Sequence, residues 1–262
     1  MYPPLPRRLE VLAKSLGTPH GRKKSGLAVL EGIRVAEGLT ASGAVVNAVL
    51  VSPEALRDPR AAGLAAGFSS RGLPVYEVSA AALRGLSQVE TPQGLLIICE
   101  PPRVTLETAL LHPFLLIADA IQDPGNLGTI LRLASAFGVG AVVTTKGTVE
   151  VSNPKTVRAA AGAWPGLPVA EGVNPESLVR LLKASGHRIV VADAHGSPGT
   201  RANLWMGHVA LVAGSEGHGA GAVFATAATA RVRIPLAPGV ESLNVGSAVA
   251  ILLAEAARRR GF

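Results

Sequence analysis

Short apolar runs alternate with helix-like stretches along the whole chain. In the first hundred residues, runs at 27–30, 45–51, 75–78 and 95–99 read as strands, and stretches at 31–42, 59–71 and 80–86 read as helices. Alternation of this kind indicates an α/β layer architecture. The sequence Glu100-Pro-Pro-Arg-Val104 then breaks the pattern. Paired prolines continue neither a helix nor a central strand, so the domain boundary falls here and divides the chain into 1–103 and 104–262.

The second part alternates again. Strands are expected at 114–118, 141–145, 167–170, 188–192, 208–213 and 231–234, and helices at 126–137, 154–162, 175–185, 219–226 and 242–260. The last is the clearest helix. Ser242 suits its N-cap, and Arg258, Arg259 and Arg260 stand at its C-terminal end, where the helix dipole favours cations.

Composition narrows the class. Hydrophobic residues are 48% and charged residues 16%, the balance of a globular chain, and aromatics are only 3%. The core is therefore built from Ala, Val, Leu and Ile, which suits parallel strands covered by helices on both faces. Cys99 is the single cysteine, so neither a disulfide framework nor a cysteine zinc site is available, and a reducing compartment is expected. Residues 1–6 lack the apolar core of a secretory signal, and the longest apolar stretch, 245–254, is too short to span a bilayer. The expectation is a soluble cytoplasmic protein with no metal and no membrane partner. Lys and Arg total 25 against 18 Asp and Glu, a net charge of +7, which points to a polyanionic partner such as nucleic acid. Residues 1–24 hold Arg7, Arg8, Lys14, Arg22, Lys23 and Lys24 against Glu10, the pattern of a phosphate-contacting arm.

Three glycine-punctuated segments, each after an expected strand, carry the chemistry. In Asp123-Pro-Gly-Asn-Leu-Gly-Thr-Ile-Leu-Arg132, Pro124 and Gly125 make a turn, Asn126 suits a helix cap, and Arg132 follows less than two turns later. Its guanidinium suits bidentate recognition of a phosphate or carboxylate, although a surface ion pair would use it equally well. In Leu211-Val-Ala-Gly-Ser-Glu-Gly-His-Gly219 a buried strand runs into a glycine loop bearing one carboxylate, Glu216. Glycines permit close backbone approach to a ligand, yet no G-x-G-x-x-G opens a helix here, which argues against a nicotinamide enzyme. In the third segment, 234–254, a Pro/Gly loop leads into polar Ser242 and Asn244 at the start of a strongly apolar helix.

In order and spacing these segments resemble motifs 1, 2 and 3 of the SpoU (TrmH-type) family of the SPOUT methyltransferases, over roughly residues 115–260. The stretch 152–163 is similar to that family's connecting segment, and the first part looks like the small α/β substrate-binding domain of rRNA-directed members. The resemblance implies a deep trefoil-knot domain with a parallel sheet, a fold that patterning alone does not reveal. It implies an S-adenosylmethionine-dependent RNA ribose 2′-O-methyltransferase, with Gly214, Ile234 and Leu243 as cofactor contacts. Arg132 is then the key catalytic residue, supported by Asn126, Glu216, Ser242 and Asn244. Because a guanidinium holds its proton at physiological pH, the implied role of Arg132 is to bind an RNA phosphate near the reacting hydroxyl. The implied substrate is 23S rRNA and the implied assembly a homodimer. The alternatives are a tRNA 2′-O-methyltransferase, whose shorter family members lack the first domain, and a non-catalytic RNA-binding protein that retains the fold. Ser215 and Gly246 depart from the residues frequent at their positions in the family, Asn or Ala and Ser respectively.

Overall fold

The computed structural model describes residues 2–87, 92–198, 202–215 and 217–261. In chain order the elements are α1 (Arg7–Leu16), α2 (Pro19–Ser25), β1 (Ala28–Glu31), α3 (Ile33–Ser42), β2 (Val46–Val51), α4 (Pro59–Ser70), β3 (Val75–Glu77), α5 (Ala80–Leu86) and β4 (Leu95–Cys99). They continue as α6 (Leu106–Ala109), β5 (Phe114–Asp119), α7 (Pro124–Ala136), β6 (Ala141–Thr145), α8 (Pro154–Ala159), β7 (Val169–Val173), α9 (Pro175–Ala184) and β8 (Arg188–Pro198). Last come β9 (Val209–Gly214), α10 (Ala222–Ala227), β10 (Ala230–Arg233) and α11 (Val245–Arg260). The chain forms two compact units, Met1–Pro102 with Ser152–Gly166, and Arg103–Val151 with Leu167–Phe262.

The first unit is built on a mixed sheet ordered β1-β4-β2-β3. Strand β4 runs antiparallel to both β1 and β2, and every residue of it is buried, as its unbroken Leu-Leu-Ile-Ile-Cys run implies. The basic N-terminal stretch is not a free arm. Its α1 buries Ala13 and Leu16 in a core with Leu50, Leu83, Leu96 and Ile98. Its α2 starts on Thr18, whose hydroxyl accepts from the Gly21 amide, with Pro19 in the first turn, and it ends at left-handed Gly26. Arg22 is 6% exposed and donates to the Leu16 carbonyl at 3.2 Å, so it staples α2 to α1. Arg7, Arg8, Lys14, Lys23 and Lys24 remain exposed.

Residues 152–166, expected in the second domain, belong to the first unit. The reason is apolar burial. Val157 of α8 and Trp164 and Pro165 of the following turn are buried, against β1 and α3. Where the turn meets α3, the helix carries Gly38, whose absent Cβ would stand 3.2 Å from Pro165 Cβ. Cutting the chain at 103 would therefore strip this segment of its packing partners.

The second unit holds a six-stranded sheet ordered β10-β8-β9-β5-β6-β7, parallel throughout. Every residue of β5 and β6 is buried. The chain steps outward from β5 through β6 to β7, and β9 returns on the other flank of β5. The order thus reverses between β5 and β9, and ligands in open parallel sheets bind beyond the carboxyl ends of the strands at such a reversal. Asp119 and Gly214 face each other across that pair. Strand β8 extends to Pro198 where the apolar run suggested 192, because β10 pairs along it through a bulge at Arg231/Val232. Gly196 allows the approach, since a Cβ there would sit 2.7 Å from the Arg231 carbonyl.

Candidate active site

A cleft of about 410 Å³ opens beyond the carboxyl ends of β8, β9 and β10 and is closed on one side by the first turns of α11. Its shape begins with Gly214, the last residue of β9. A Cβ on Gly214 would lie 2.0 Å from the carbonyl carbon and oxygen of Gly219 and 2.1 Å from the Ala220 amide. The loop that reaches Gly221 returns over the strand at Gly219 and Ala220, so only a glycine fits beneath it. The Gly219 amide donates to the Ser215 carbonyl at 2.8 Å, and Gly219 itself is left-handed at φ 65°.

Asp119 anchors the far end of that loop. It is 5% exposed; its Oδ2 accepts from the Gly221 amide at 2.7 Å and its Oδ1 from the Thr145 hydroxyl at 2.7 Å. The Thr145 oxygen also accepts from the Ala120 amide at 3.0 Å, which fixes Ala120 at a positive φ of 53°. Nothing in the local pattern distinguished Asp119 from an ordinary strand-ending polar residue. Asp119→Ala leaves two donors without their carboxylate, and the expected cost is about 2–3 kcal/mol in chemical denaturation. A stability within about 0.5 kcal/mol of wild type would show that the carboxylate does not hold the loop.

The third wall is the segment between β10 and α11. Ile234 and Leu243 are half-buried and line the cleft, and Ser242 lines it from an exposed position. Ser242 does not cap α11. Asn244 does, its Oδ1 accepting from the Gly246 amide at 2.9 Å. The start of α7 shows a parallel correction: Asp123 caps it by accepting from the Asn126 amide at 2.8 Å, which leaves the Asn126 side chain for another partner. That partner is Asn244, whose Nδ2 donates to Asn126 Oδ1 at 3.0 Å across 118 positions of sequence. Within the first turn of α11, the helix meets α7 so closely that a Cβ on Gly246 would lie 2.9 Å from Thr129 Cγ2. Glycine at 246, a departure from the serine frequent in the resembled family, matches this tight crossing.

Arg132 stands one further three-residue step along the α7 ridge that runs through Asn126 and Thr129, about 12 Å along the axis from Pro124. It is exposed, does not line the cleft, and has no hydrogen bond or ion pair among the described residues. Its guanidinium is therefore exposed to solvent and paired with no acid among the described residues. Glu216 lies outside the described residues. The structure therefore gathers Gly214, Ile234, Ser242 and Leu243 around one cleft, ties Asn126 to Asn244 beside it, and sets Arg132 apart.

Residues 113–254 match the family model described as the SpoU rRNA Methylase family. The chain belongs to that family. Residues 12–97 match a second model, the MRM3-like substrate binding domain, so the SpoU domain here follows a substrate-binding one. Among the relatives, the 23S rRNA (guanosine(2553)-2′-O)-methyltransferase RlmP of Bacillus subtilis is 35% identical over 92% of this chain and 92% of its own. The 23S rRNA (guanosine-2′-O-)-methyltransferase RlmB of Escherichia coli K12 is 31% identical over 78% of this chain and 86% of its own. The crystal structure of an AdoMet-bound rRNA methyltransferase from Sinorhizobium meliloti superposes with a TM-score of 0.86 at 27% identity, over 98% of this chain and 96% of that one.

The sequence reading of this SpoU site overlooked two groups besides Asp119. Asp193 lines the cleft and accepts from the His195 amide at 2.8 Å, while His195 lines it too. An Asp two residues before a bonded amide is an Asx-turn pattern, a signal that was present in Asp-Ala-His. Cysteine chemistry is excluded at the other extreme: burial, with help from the Glu100 charge, pushes the Cys99 thiol up to about 12, so it stays protonated.

The Asn126–Asn244 pair is testable by a double-mutant cycle. Asn244→Ala removes a cap and a side-chain bond and is expected to cost about 2 kcal/mol, while Asn126→Ala costs about 1 kcal/mol. The coupling energy measured by urea denaturation is expected near 1 kcal/mol, and strict additivity would show that the two asparagines do not act together.

Proposed function

We propose that this chain transfers the methyl group of S-adenosylmethionine to a ribose 2′-hydroxyl in 23S rRNA. The cleft beyond the carboxyl ends of β8, β9 and β10 carries this reading. Its volume of about 410 Å³ lies within the range of small-molecule sites. Its floor at Gly214 is bare backbone, and its sides are the half-buried Ile234 and Leu243. Bare backbone, glycine and two aliphatic side chains suit a ligand with a flat heteroaromatic ring and polar edges. Family membership supports the chemistry, and RlmP and RlmB, which are 23S rRNA guanosine 2′-O-methyltransferases, support the substrate.

When bound, S-adenosylmethionine supplies an electrophilic methyl group on a sulfonium centre. Gly214, Ile234 and Leu243 hold it in the cleft. Arg132 binds an RNA phosphate next to the target ribose and brings the hydroxyl into line, where alignment alone supplies much of the rate. Ser242 and the Asn126–Asn244 pair keep the cleft wall and the start of α7 in register for that approach. Glu216 acts as the carboxylate that orients Arg132 or Asn126. The proposal includes a homodimer in the cytoplasm, with Arg132 of one protomer serving the cleft of the other. The exposed Arg132 and the 46% exposed Ile251 of α11 support an interface on this side. No helix among the described residues is long and apolar enough to cross a membrane.

The deciding experiment is a tritiated-methyl transfer assay on purified rRNA and tRNA, followed by mapping of alkali-resistant dinucleotides. Label at one position of 23S rRNA is the expected result. Label in tRNA alone would overturn the substrate, and label sensitive to alkali would overturn the 2′-O chemistry.

A further inference from the structure

A second cavity, of about 620 Å³, is lined entirely by residues of the first unit. One wall is the junction of β1 and α3, and the opposite wall is α8 with the residues that follow it. Two glycines set their spacing. Gly32 adopts φ 109° and a Cβ there would lie 2.9 Å from Gln93 Oε1; Gly162 adopts φ 89° and a Cβ there would lie 2.8 Å from Arg34 Cβ. Buried Val35, Leu86 and Val157 supply an apolar part of the lining, and Glu31, whose carboxylate accepts from the Ser87 hydroxyl at 2.8 Å, lines it too.

Two cations of the rim are uncommitted among the described residues. Arg34 and Arg158 are exposed, and neither has a hydrogen bond or ion pair among the described residues. Arg60 differs, since Glu37 holds it through bonds of 2.8–3.0 Å. Polar edges also reach the cavity. Gln93 Oε1 accepts from the Ile33 amide at 3.0 Å, and its amide nitrogen makes no bond among the described residues. The Asp58 carboxylate caps α4 at the same rim.

Apolar side chains, planar guanidinia and amide or carboxylate edges together match a ligand with a flat ring, polar edges and a negative charge. Unstacked RNA bases are recognised by stacking on guanidinium planes and by hydrogen bonds to their edges, whereas bases within an A-form duplex are inaccessible to such a cavity. We propose that this cavity captures one unpaired nucleotide of the substrate RNA, base inward and phosphate on Arg34 and Arg158. The proposal rests on the RNA-substrate reading above and adds a second anchoring point outside the methyl-transfer cleft.

The test uses the full chain and fluorescence anisotropy with a short unstructured RNA, its duplex, and an acidic peptide as competitor, over a salt series. Arg34→Ala/Arg158→Ala is expected to weaken single-strand binding about tenfold, the size of a lost stacked base, and to lower the salt slope by about 1.4. Duplex binding is expected to change less than twofold, and S-adenosylmethionine binding and melting temperature to match wild type. Arg34→Lys/Arg158→Lys is expected to keep the salt slope yet recover only part of the single-strand affinity, because an ammonium neutralises the phosphate but neither stacks nor forks. Equal losses on single strand and duplex, full affinity in the lysine variant, or displacement of the RNA by the acidic peptide would each overturn the proposal. Wild-type protein that binds no RNA would overturn the substrate reading itself, whereas wild-type binding unaltered by either double substitution would overturn the cavity assignment alone.

Discussion

Gly214→Ala is expected to abolish measurable S-adenosylmethionine binding and to destabilise the fold by about 3 kcal/mol or more. The new methyl group would start 2.0 Å from the Gly219 carbonyl and 2.1 Å from the Ala220 amide, and both obstacles are backbone. A flexible side chain swings aside at little cost, but this loop is pinned at both ends. The Gly219 amide is bonded to Ser215, and the Gly221 amide is bonded to the buried Asp119. To admit the methyl, one of these bonds must open or β9 must leave its register with β5. If about 3 kcal/mol of that displacement falls on the ligand-binding geometry, affinity drops more than a hundredfold. If it falls on the fold, the melting temperature drops by roughly 6–12 °C for a chain of this size. Gly67→Ala is the control, in α4 away from the cleft with nothing within 4 Å of its Cβ position, and is expected to bind as wild type. Isothermal titration with S-adenosylmethionine and thermal melting of both variants decide the matter. Wild-type affinity in Gly214→Ala would show that closure of the loop on β9 does not build the cleft.

Gly214 also marks how far a sequence carries the site. That a glycine loop follows a buried strand was legible, because parallel strands covered on both faces read as continuous apolar runs. That Gly214 in particular has the loop backbone pressed on it was not, since Gly219 and Ala220 reach it only through the return of the loop. Helix starts show a related limit. Asn126 and Ser242 are good caps by residue type, yet Asp123 and Asn244 cap instead. Neighbouring residues of equal capping ability cannot be ranked locally, and here a contact across 118 positions, between Asn126 and Asn244, accompanies the choice. Charge misled at the N-terminus. Six cations in the first 24 residues suggested an arm, while the period of Ala13 and Leu16 carried the weaker signal of a packed helix. The allegiance of 152–166 turned on burying Trp164 at 0% exposure, and one sequence does not say against which unit a tryptophan packs.

Arg132→Ala is expected to lower the rate of methyl transfer about 10²–10³-fold, the usual cost of removing one preorganised charged donor from a transition state. Its effect on S-adenosylmethionine affinity is expected to be less than twofold, because Arg132 does not line the cleft and bonds to nothing that does among the described residues. Stability is expected to change by less than about 0.5 kcal/mol, as for other exposed residues without partners. This separation distinguishes a substrate-positioning guanidinium from a structural one, whose loss would also appear in melting. Arg132→Lys keeps the charge but loses the planar fork, so it is expected to recover RNA affinity and only part of the rate. Dimer architecture supplies a sharper version. If Arg132 serves the partner's cleft, mixing Arg132→Ala chains with Gly214→Ala chains yields heterodimers in which one cleft has both an intact floor and an intact arginine. Activity reappearing on mixing, from two inactive proteins, is the expected result. Persistent inactivity in verified heterodimers would place Arg132 and the cleft it serves on the same chain, and full activity of the Arg132→Ala protein by itself would remove the residue from the chemistry.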